Sequence, residues 1–329
     1  MSGPIDPQLA ASCRDRELVT PELHASNDFY GHASLLKAYA GRSSLESLKV
    51  AIEHGVILND YVWDVDLESQ MPLFFCANAR RAELFDARAR YGRGVPIGAM
   101  PHYVKRSSAT TPSRKVLLAF PSHSSHRVKA SFDVGLFADR LETHGKRFDE
   151  VRVCVYWRDV EAGLDRAFRA RGFHVVSAGH MFDPRFLPHL LEHIDGASAA
   201  MTNEVCSAVL YAAFANKPVW IEPQQVSHVA ADEILVVDVP AYADHPMVQR
   251  IERLFAEPGD ALTPEQIALR DELLGVQHVR TPAQIAELLD EAEDRYRASA
   301  TLQRRIRDGV RRLSYVRARV RQELRNRWR

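Results

Sequence analysis

The stretch "MTNEVCSAVLYAAFANKPVWIEP" (residues 201–223) combines a strand end, a helix start and a second strand. The polar residues Thr202, Asn203 and Glu204 separate a small apolar run from an alanine-rich helical pattern, and an apolar strand pattern follows at 218–221. In an α/β protein such a junction lies at the carboxyl end of a strand and the amino end of a helix, where unpaired N–H groups favour anionic ligands. We therefore expect Thr202 or Asn203 to cap the helix, with Ser207 in its first turn. The alternative is a helix that is merely well capped.

The same alternation extends outward through the second half of the chain. Short apolar runs bounded by turn residues predict strands at 115–120, 151–157, 173–178, 197–202, 218–221 and 233–239. Helical patterns lie between most of them, at about 133–145, 159–171, 184–195 and 204–215. This order predicts a parallel sheet with helices on its faces.

The first half predicts a smaller sheet of βα units, from the segments 47–58, 71–78 and 95–100. The sequence thus indicates the α/β class, with two Rossmann-like domains and a cleft between them. We predict an N-terminal, acceptor-side domain at 1–108, a nucleotide-binding domain at 109–245, helices at 246–299 and a basic amphipathic helix at 300–329. The polar stretch 105–114 is the predicted linker.

Charge is distributed unevenly along a chain whose net charge is zero. Residues 300–329 hold eleven arginines and two acidic residues, a net charge of +9, which leaves −9 on residues 1–299. Apolar residues recur in this tail at spacings of three and four and predict an amphipathic helix. Such a helix suits an anionic membrane surface, and the alternative is that it packs on the acidic body of the protein.

The remaining composition favours a globular protein of the cytoplasm, and the basic tail would place it peripherally on the inner membrane face. The four cysteines are scattered without metal-ligand spacing, and we find neither a secretory signal pattern nor an apolar run long enough to span a bilayer. We expect no metal, no cofactor and no nucleic-acid partner.

A first candidate site is the turn Glu53-His54-Gly55, which follows a strand-like run. Glutamate and histidine are suited to taking a proton from a sugar hydroxyl, and glycine permits a tight turn. The alternative is an ordinary strand-end turn with a solvated histidine.

A second candidate site is the loop "FPSHSSHRVKASFD" (120–133), which is rich in hydrogen-bond donors. His123, Ser124 and Arg127 could hold a phosphate leaving group, and the alternative is a polar loop with a helix cap. Glu222, after the last strand of the opening stretch, could accept from ribose hydroxyls. We expect Asp64-Val65-Asp66 to form a solvated turn and His189 with His193 to lie on an exposed helix face.

Together these motifs resemble bacterial surface-polysaccharide enzymes of the GT-B kind, over roughly residues 47–222. Two branches are similar: the sialyl and Kdo transferases, and the CDP-glycerol glycerophosphotransferases. The sequence departs from them where Ser124, rather than proline, follows His123, and where Glu204 and Cys206 replace a serine pair.

The resemblance implies a metal-independent glycosyltransferase that moves a sugar from a nucleotide-sugar donor to a glycan or glycolipid acceptor in capsule or lipopolysaccharide synthesis. A CMP-linked sugar is one candidate donor. It implies Glu53 or His54 as the catalytic base, His123 as a phosphate contact, and Thr202 with Ser207 as donors to the nucleotide phosphate. The alternatives are a CDP-polyol phosphotransferase and a non-catalytic scaffold protein that keeps the fold.

Overall fold

The computed structural model describes residues 6–106, 114–125, 128–230, 242–299, 309–310 and 315–317. Arg127, the predicted strand at 233–239 and most of the tail 300–329 lie outside these residues. The chain divides into two compact units. Unit 1 holds the described residues of 1–15, 56–59 and 104–273, and unit 2 holds those of 16–55, 60–103 and 274–329.

Ten strands and twelve α-helices are formed by the described residues. The strands are β1 Val50–Ile52, β2 Leu73–Cys76, β3 Arg93–Pro96, β4 Val116–Phe120, β5 Val128–Phe132, β6 Glu150–Cys154, β7 His174–Val176, β8 Ala199–Thr202, β9 Val219–Ile221 and β10 Val226–Ala230. The helices are α1 Pro7–Ser12, α2 His32–Tyr39, α3 Asp64–Leu67, α4 Ala79–Asp86, α5 Val134–Gly145, α6 Trp157–Glu161, α7 Asp165–Ala170, α8 Phe186–Asp195, α9 Ser207–Phe214, α10 Pro246–Leu254, α11 Pro264–Leu273 and α12 Pro282–Ser299. Three 3-10 segments, Ala25–Gly31, Met100–Tyr103 and Val276–His278, complete them.

Unit 1 contains a five-stranded parallel sheet in the order β7-β6-β4-β8-β9. Every residue of β4 is buried, as expected of a central strand in a parallel sheet. Numbered from β4, the order is 3-2-1-4-5, so the winding reverses between β4 and β8. Open α/β sheets bind ligands outside the carboxyl ends of the strands at this switch point.

Three elements of unit 1 differ from the sequence prediction. The segment 120–133 is not all loop, because β5 pairs antiparallel with β10 in a separate two-stranded ribbon. The predicted strand at 151–157 ends at Cys154, and Trp157 already begins α6. The helix expected at 159–171 is two short helices, which separate at Gly163, where φ is 87°.

Unit 2 contains a three-stranded parallel sheet in the order β1-β2-β3, as the βα pattern predicts. Its last strand begins at Arg93, two residues before the predicted segment. A Cβ atom added at Gly94 would lie 2.6 Å from the Cα atom of Ala82, so glycine lets α4 approach β3 closely. The rings of Phe74 and Phe85 stack 4.4 Å apart in the core beside this helix.

None of the described helices combines the length and the apolar character that crossing a membrane requires.

Candidate functional site

At the switch point of the unit 1 sheet, a side chain that follows one strand is hydrogen-bonded to a residue that follows the neighbouring strand. Asn203 directly follows β8, and its Oδ1 accepts from the backbone N–H of Ser122 at 2.7 Å and from the Ser122 hydroxyl at 2.8 Å. Both residues are buried. Asn203 therefore joins the ends of β4 and β8 and fixes the start of the 122–125 loop.

The 122–125 loop presents His123 at the surface. The His123 side chain is exposed, and its ring lies 4.5 Å from the ring of Tyr156 with a tilt of 33°. The next residue, Ser124, donates its backbone N–H to Asp159 Oδ2 at 2.9 Å and accepts from the N–H of Ala130 at 3.2 Å. Sequence analysis missed Tyr156 and Asp159, because both come from the β6–α6 region, which only the fold brings beside this loop.

Helix α9 begins three residues later than the opening stretch suggests. Its first residue is Ser207 and its N-cap is Cys206, so the prediction that Thr202 or Asn203 caps the helix is wrong. The Thr202 hydroxyl instead donates to the carbonyl oxygen of Glu204 at 2.9 Å and accepts from the N–H of the same residue at 3.3 Å, which closes a local turn before the helix. The Ser207 hydroxyl oxygen accepts from the N–H of Val56 at 3.2 Å.

Two carboxylates near this edge are already engaged. Glu204 Oε2 lies 2.8 Å from His228 Nε2, and this hydrogen bond raises the pKa of His228. Glu222 Oε2 lies 3.1 Å from His144 Nε2, and Arg140 Nε lies 3.5 Å from the other oxygen. Glu222 is therefore hydrogen-bonded to His144 and paired with Arg140, both from α5.

The carboxyl edge of the unit 2 sheet carries a buried ion pair. Glu53 directly follows β1 and is only 5% exposed. Its Oε1 accepts from Arg81 Nε at 2.7 Å, and Arg81 Nη2 also donates to the carbonyl oxygen of Tyr61 at 2.7 Å. Burial raises the pKa of Glu53, while the charge of Arg81 acts in the opposite direction.

The second oxygen of Glu53 has no hydrogen-bond partner among the described residues. Glu53 lines a cavity of about 10 Å³ at the carboxyl ends of β1, β2 and β3, close to the smallest volume that holds one water. Its other walls include Gly55, Ala77, Gly98 and Met100. Gly55, with φ of 74°, makes the turn that the sequence suggests. A buried acceptor beside a hydroxyl-sized space can receive a proton donor from a ligand.

His54 points into a group of aromatic rings, so the alternative of a solvated histidine is wrong. Its ring centroid lies 5.3 Å from that of Phe29 and 5.4 Å from that of Trp63. Burial, and then the proximity of His24, lower the pKa of His54 to about 4. The imidazole is therefore neutral at pH 7 and a weak base.

Asp66 does not lie in a solvated turn. It is 1% exposed inside unit 2, and burial, with Glu53 as the second cause, raises its pKa to about 7. His24 Nε2 lies 3.4 Å from Asp66 Oδ1, and the Ser26 hydroxyl lies 2.6 Å from His24 Nδ1. This Ser-His-Asp group is closed to substrates, because Ser26 is also 1% exposed.

The histidine pair on α8 also differs from expectation. His189 and His193 are half-buried rather than exposed, and His193 Nε2 lies 3.2 Å from the carbonyl oxygen of Ser177. In the part of the chain that the structure describes, no three His, Cys, Asp or Glu side chains come together as metal ligands.

Comparison with known proteins gives only distant structural likenesses. No protein-family model and no curated protein matches the sequence. The S. aureus MnaA-UDP co-structure is similar at 10% identity and a TM-score of 0.37, covering 87% of this chain and 82% of that one. The GtfA/B complex is similar at 10% identity and a TM-score of 0.34, with 76% and 54% covered. TarM is similar at 9% identity and a TM-score of 0.31, with 83% and 51% covered.

The chain thus spans about half the length of the GtfA/B and TarM chains that it matches. With TM-scores below 0.5, these likenesses support neither a function nor a site residue.

Proposed function

We propose that the protein is a metal-independent, GT-B-like glycosyltransferase that moves a sugar from a nucleotide-sugar donor to a glycan or glycolipid acceptor. The observation that carries this proposal is the unpartnered oxygen of Glu53, buried beside a hydroxyl-sized cavity at the carboxyl edge of a parallel sheet.

In this proposal unit 2 receives the acceptor. A sugar hydroxyl enters the cavity and donates its hydrogen bond to Glu53 Oε2, while Glu53 Oε1 stays bonded to Arg81. The proton passes to Glu53 as the hydroxyl oxygen attacks the anomeric carbon of the donor. Burial makes the carboxylate a stronger base than an exposed glutamate, whereas the low pKa of His54 makes it the poorer candidate.

Unit 1 is proposed to receive the donor at its switch point. His123 and Arg127 would stabilise the departing phosphate electrostatically, and Ser124 and Ser207 would supply neutral donors. Thr202 would join them by exchanging its hydrogen bond to the Glu204 carbonyl oxygen for one to the phosphate. Asn203 would act by holding the loop, through its bonds to Ser122. The hydrogen bond between Glu204 and His228 turns one negative charge away from that phosphate.

The finer proposals concern the substrates and the setting. The donor would be CMP-linked, Glu222 would accept from its ribose hydroxyls, and the product would belong to a bacterial capsule or lipopolysaccharide. The protein would act in the cytoplasm, with the tail 300–329 on the anionic inner face of the membrane.

The first experiment separates an enzyme from a scaffold by nucleotide binding. We expect one of CMP, CDP, UDP and GDP to raise the midpoint of thermal unfolding in a concentration-dependent way. Protection by CDP together with transfer from a CDP-polyol would show that the transferred group is a polyol phosphate and not a sugar. If none of the four nucleotides protects the protein, the proposed enzyme is wrong and a non-catalytic scaffold takes its place.

The second experiment tests Glu53, using the nucleotide-sugar selected by the first. Glu53→Gln should slow transfer of labelled sugar to a glycolipid extract by about 10² to 10⁴, the usual cost of losing a general base, while nucleotide protection persists. Glu22→Gln is a matched control, because Glu22 is also a fully buried carboxylate, paired with Lys37 at 2.7 Å. If the turnover rate of Glu53→Gln stays within tenfold of the wild-type rate, the catalytic base is a residue other than Glu53.

A further inference from the structure

Unit 2 carries a group of side-chain rings next to the Glu53 turn, here named the ring cluster: Phe29, His54, Tyr61 and Trp63. The ring centroids lie 5.3 Å apart for Phe29 and His54, 5.4 Å for His54 and Trp63, and 5.1 Å for Tyr61 and Trp63. The two outer pairs meet edge to face, at 86° in both cases. Such contacts fix the rings in a defined arrangement.

One side of the ring cluster faces solvent. Tyr61 is 43% exposed, Trp63 and Phe29 are half-buried, and the neighbouring Val65 is 51% exposed. Adjacent exposed apolar side chains are more informative than a single one, because continuous apolar surface commonly marks a binding site.

The inner side of the ring cluster has unmet hydrogen-bonding capacity. Trp63 Nε1 and His54 Nδ1 are buried, and neither atom has a partner among the described residues. An indole N–H only donates, whereas a neutral imidazole nitrogen can accept. A hydroxyl group is able to fill either role, because it can accept from an indole N–H and can donate to an imidazole nitrogen.

The ring cluster is coupled to the cavity beside Glu53 through Arg81. Arg81 donates from Nε to Glu53 Oε1 and from Nη2 to the backbone carbonyl of Tyr61, each at 2.7 Å. The same guanidinium thus positions the unpartnered carboxylate and the backbone of the exposed ring.

Charges of both signs lie beside the ring cluster, where Arg88 donates to the carbonyl oxygen of Asp60 and Arg81 to that of Tyr61. Asp60 and Asp64 flank Tyr61 and Trp63 in the sequence, and Asp64 is exposed. Arg80 forms an ion pair with Asp60 and so compensates one of these charges. A neutral ligand with hydroxyl groups and an apolar face fits this balance, because it needs no excess charge of either sign.

We propose that the ring cluster is a carbohydrate-binding surface for one neutral sugar ring, whose C–H face packs on Trp63 and Tyr61. The assignment of this sugar to the acceptor rests on the proposed function. The binding of a neutral sugar to the surface is independent of that function. The arrangement favours neutral hexoses and N-acetylhexosamines over sialic or uronic acids.

The test measures glycan binding without nucleotide. Tetrasaccharides of glucose, galactose, mannose and N-acetylglucosamine, together with one sialylated tetrasaccharide, are titrated against the full chain by saturation-transfer NMR. We expect at least one neutral probe to bind and the sialylated probe to bind at least tenfold more weakly. Trp63→Ala and Tyr61→Ala should each weaken the neutral probe at least tenfold, and Trp63→Phe, which keeps a ring, should lose less.

Leu136→Ala is the control, because it removes exposed apolar surface from unit 1, outside the ring cluster, and its affinity should stay within twofold of the wild type. Tyr61→Ala keeps the test decisive if Trp63→Ala fails to fold. The proposal is overturned if no neutral probe binds the wild type, or if Tyr61→Ala binds as the wild type does. A different result is also informative: the glycan binds, its binding depends on Tyr61, and no nucleotide protects the protein. That result would refute the proposed transferase and leave the carbohydrate-binding surface intact.

Discussion

Glu53 has two oxygens in different surroundings, and this difference explains how a buried carboxylate could also be reactive. Oε1 is held by Arg81 at 2.7 Å, which offsets part of the cost of burying a charge. Oε2 has no hydrogen-bond partner among the described residues, and Glu53 is one of the residues that line a small cavity. Unsatisfied buried polar atoms are rare in folded proteins, so such an atom calls for a water or a ligand.

The titration of unit 2 should be visible in its stability. The pKa values of His32 and His54 are lowered to about 3 and about 4, mainly by burial, from an ordinary value of 6.5. At a pH between the lowered and the ordinary pKa, each histidine is protonated in the unfolded chain and neutral in the folded one. Stability is therefore lost as the pH falls below about 6.5. Asp66, with its pKa raised to about 7, acts in the opposite direction, since its contribution is lost as the pH rises through 7.

We therefore expect the free energy of unfolding to fall between pH 7 and pH 5, measured by urea denaturation at each pH. His54→Asn should remove about 2 kcal/mol of this pH dependence, the linkage expected for a pKa lowered from 6.5 to about 4. Asp66→Asn should make the acid loss steeper. Equal slopes for the wild type and His54→Asn would show that His54 is not held neutral by burial.

At the scale of one element, helix α9 begins without a strong side-chain cap. Cys206 occupies the N-cap position and makes no capping hydrogen bond, although its thiol lies 3.7 Å from the Thr202 hydroxyl. Burial and the nearby Glu204 raise the pKa of the thiol, so it stays neutral at pH 7. The helix is instead fixed by apolar packing, since Val209, Leu210, Ala212 and Ala213 are all buried.

Cys206→Ser should therefore stabilise the protein by about 0.5–1 kcal/mol, because serine is a strongly preferred N-cap residue of nearly the same size. The measurement is the midpoint and slope of urea unfolding. Cys154→Ser is the control: Cys154 is buried in β6, where a hydroxyl gains no helix N–H, and it should destabilise. A loss of stability in Cys206→Ser as well would show that this position acts as an apolar core site.

For the whole molecule, local sequence patterns predict where the strands lie better than they predict which elements the strands contact. Runs such as "VLLAF" indicate buried parallel strands because they are apolar at successive positions. The ribbon of β5 and β10 was missed because its two strands lie far apart in the sequence and "VKASF" alternates apolar and polar residues within a donor-rich segment. In the candidate site, Glu53 and Ser124 were found, but Arg81 and Asp159 reach them across 28 and 35 residues. Those contacts follow from packing and have no local signal.

The prediction at the scale of the whole chain concerns its uneven charge, +9 on residues 300–329 and −9 on the rest. Each basic residue near an anionic membrane contributes about 1 kcal/mol, so part of the arginine set suffices for reversible attachment that weakens as salt rises. Deleting residues 300–329 should leave a folded protein, because residues 282–299 of α12 remain, with the buried side chains of Ile285, Leu289, Ala292 and Tyr296. The truncated protein should keep its nucleotide protection but no longer co-sediment with vesicles containing phosphatidylserine, and neutral phosphatidylcholine vesicles serve as the control. Unchanged co-sedimentation would exclude the tail as the membrane contact, and loss of folding on truncation would assign it to the protein's own core.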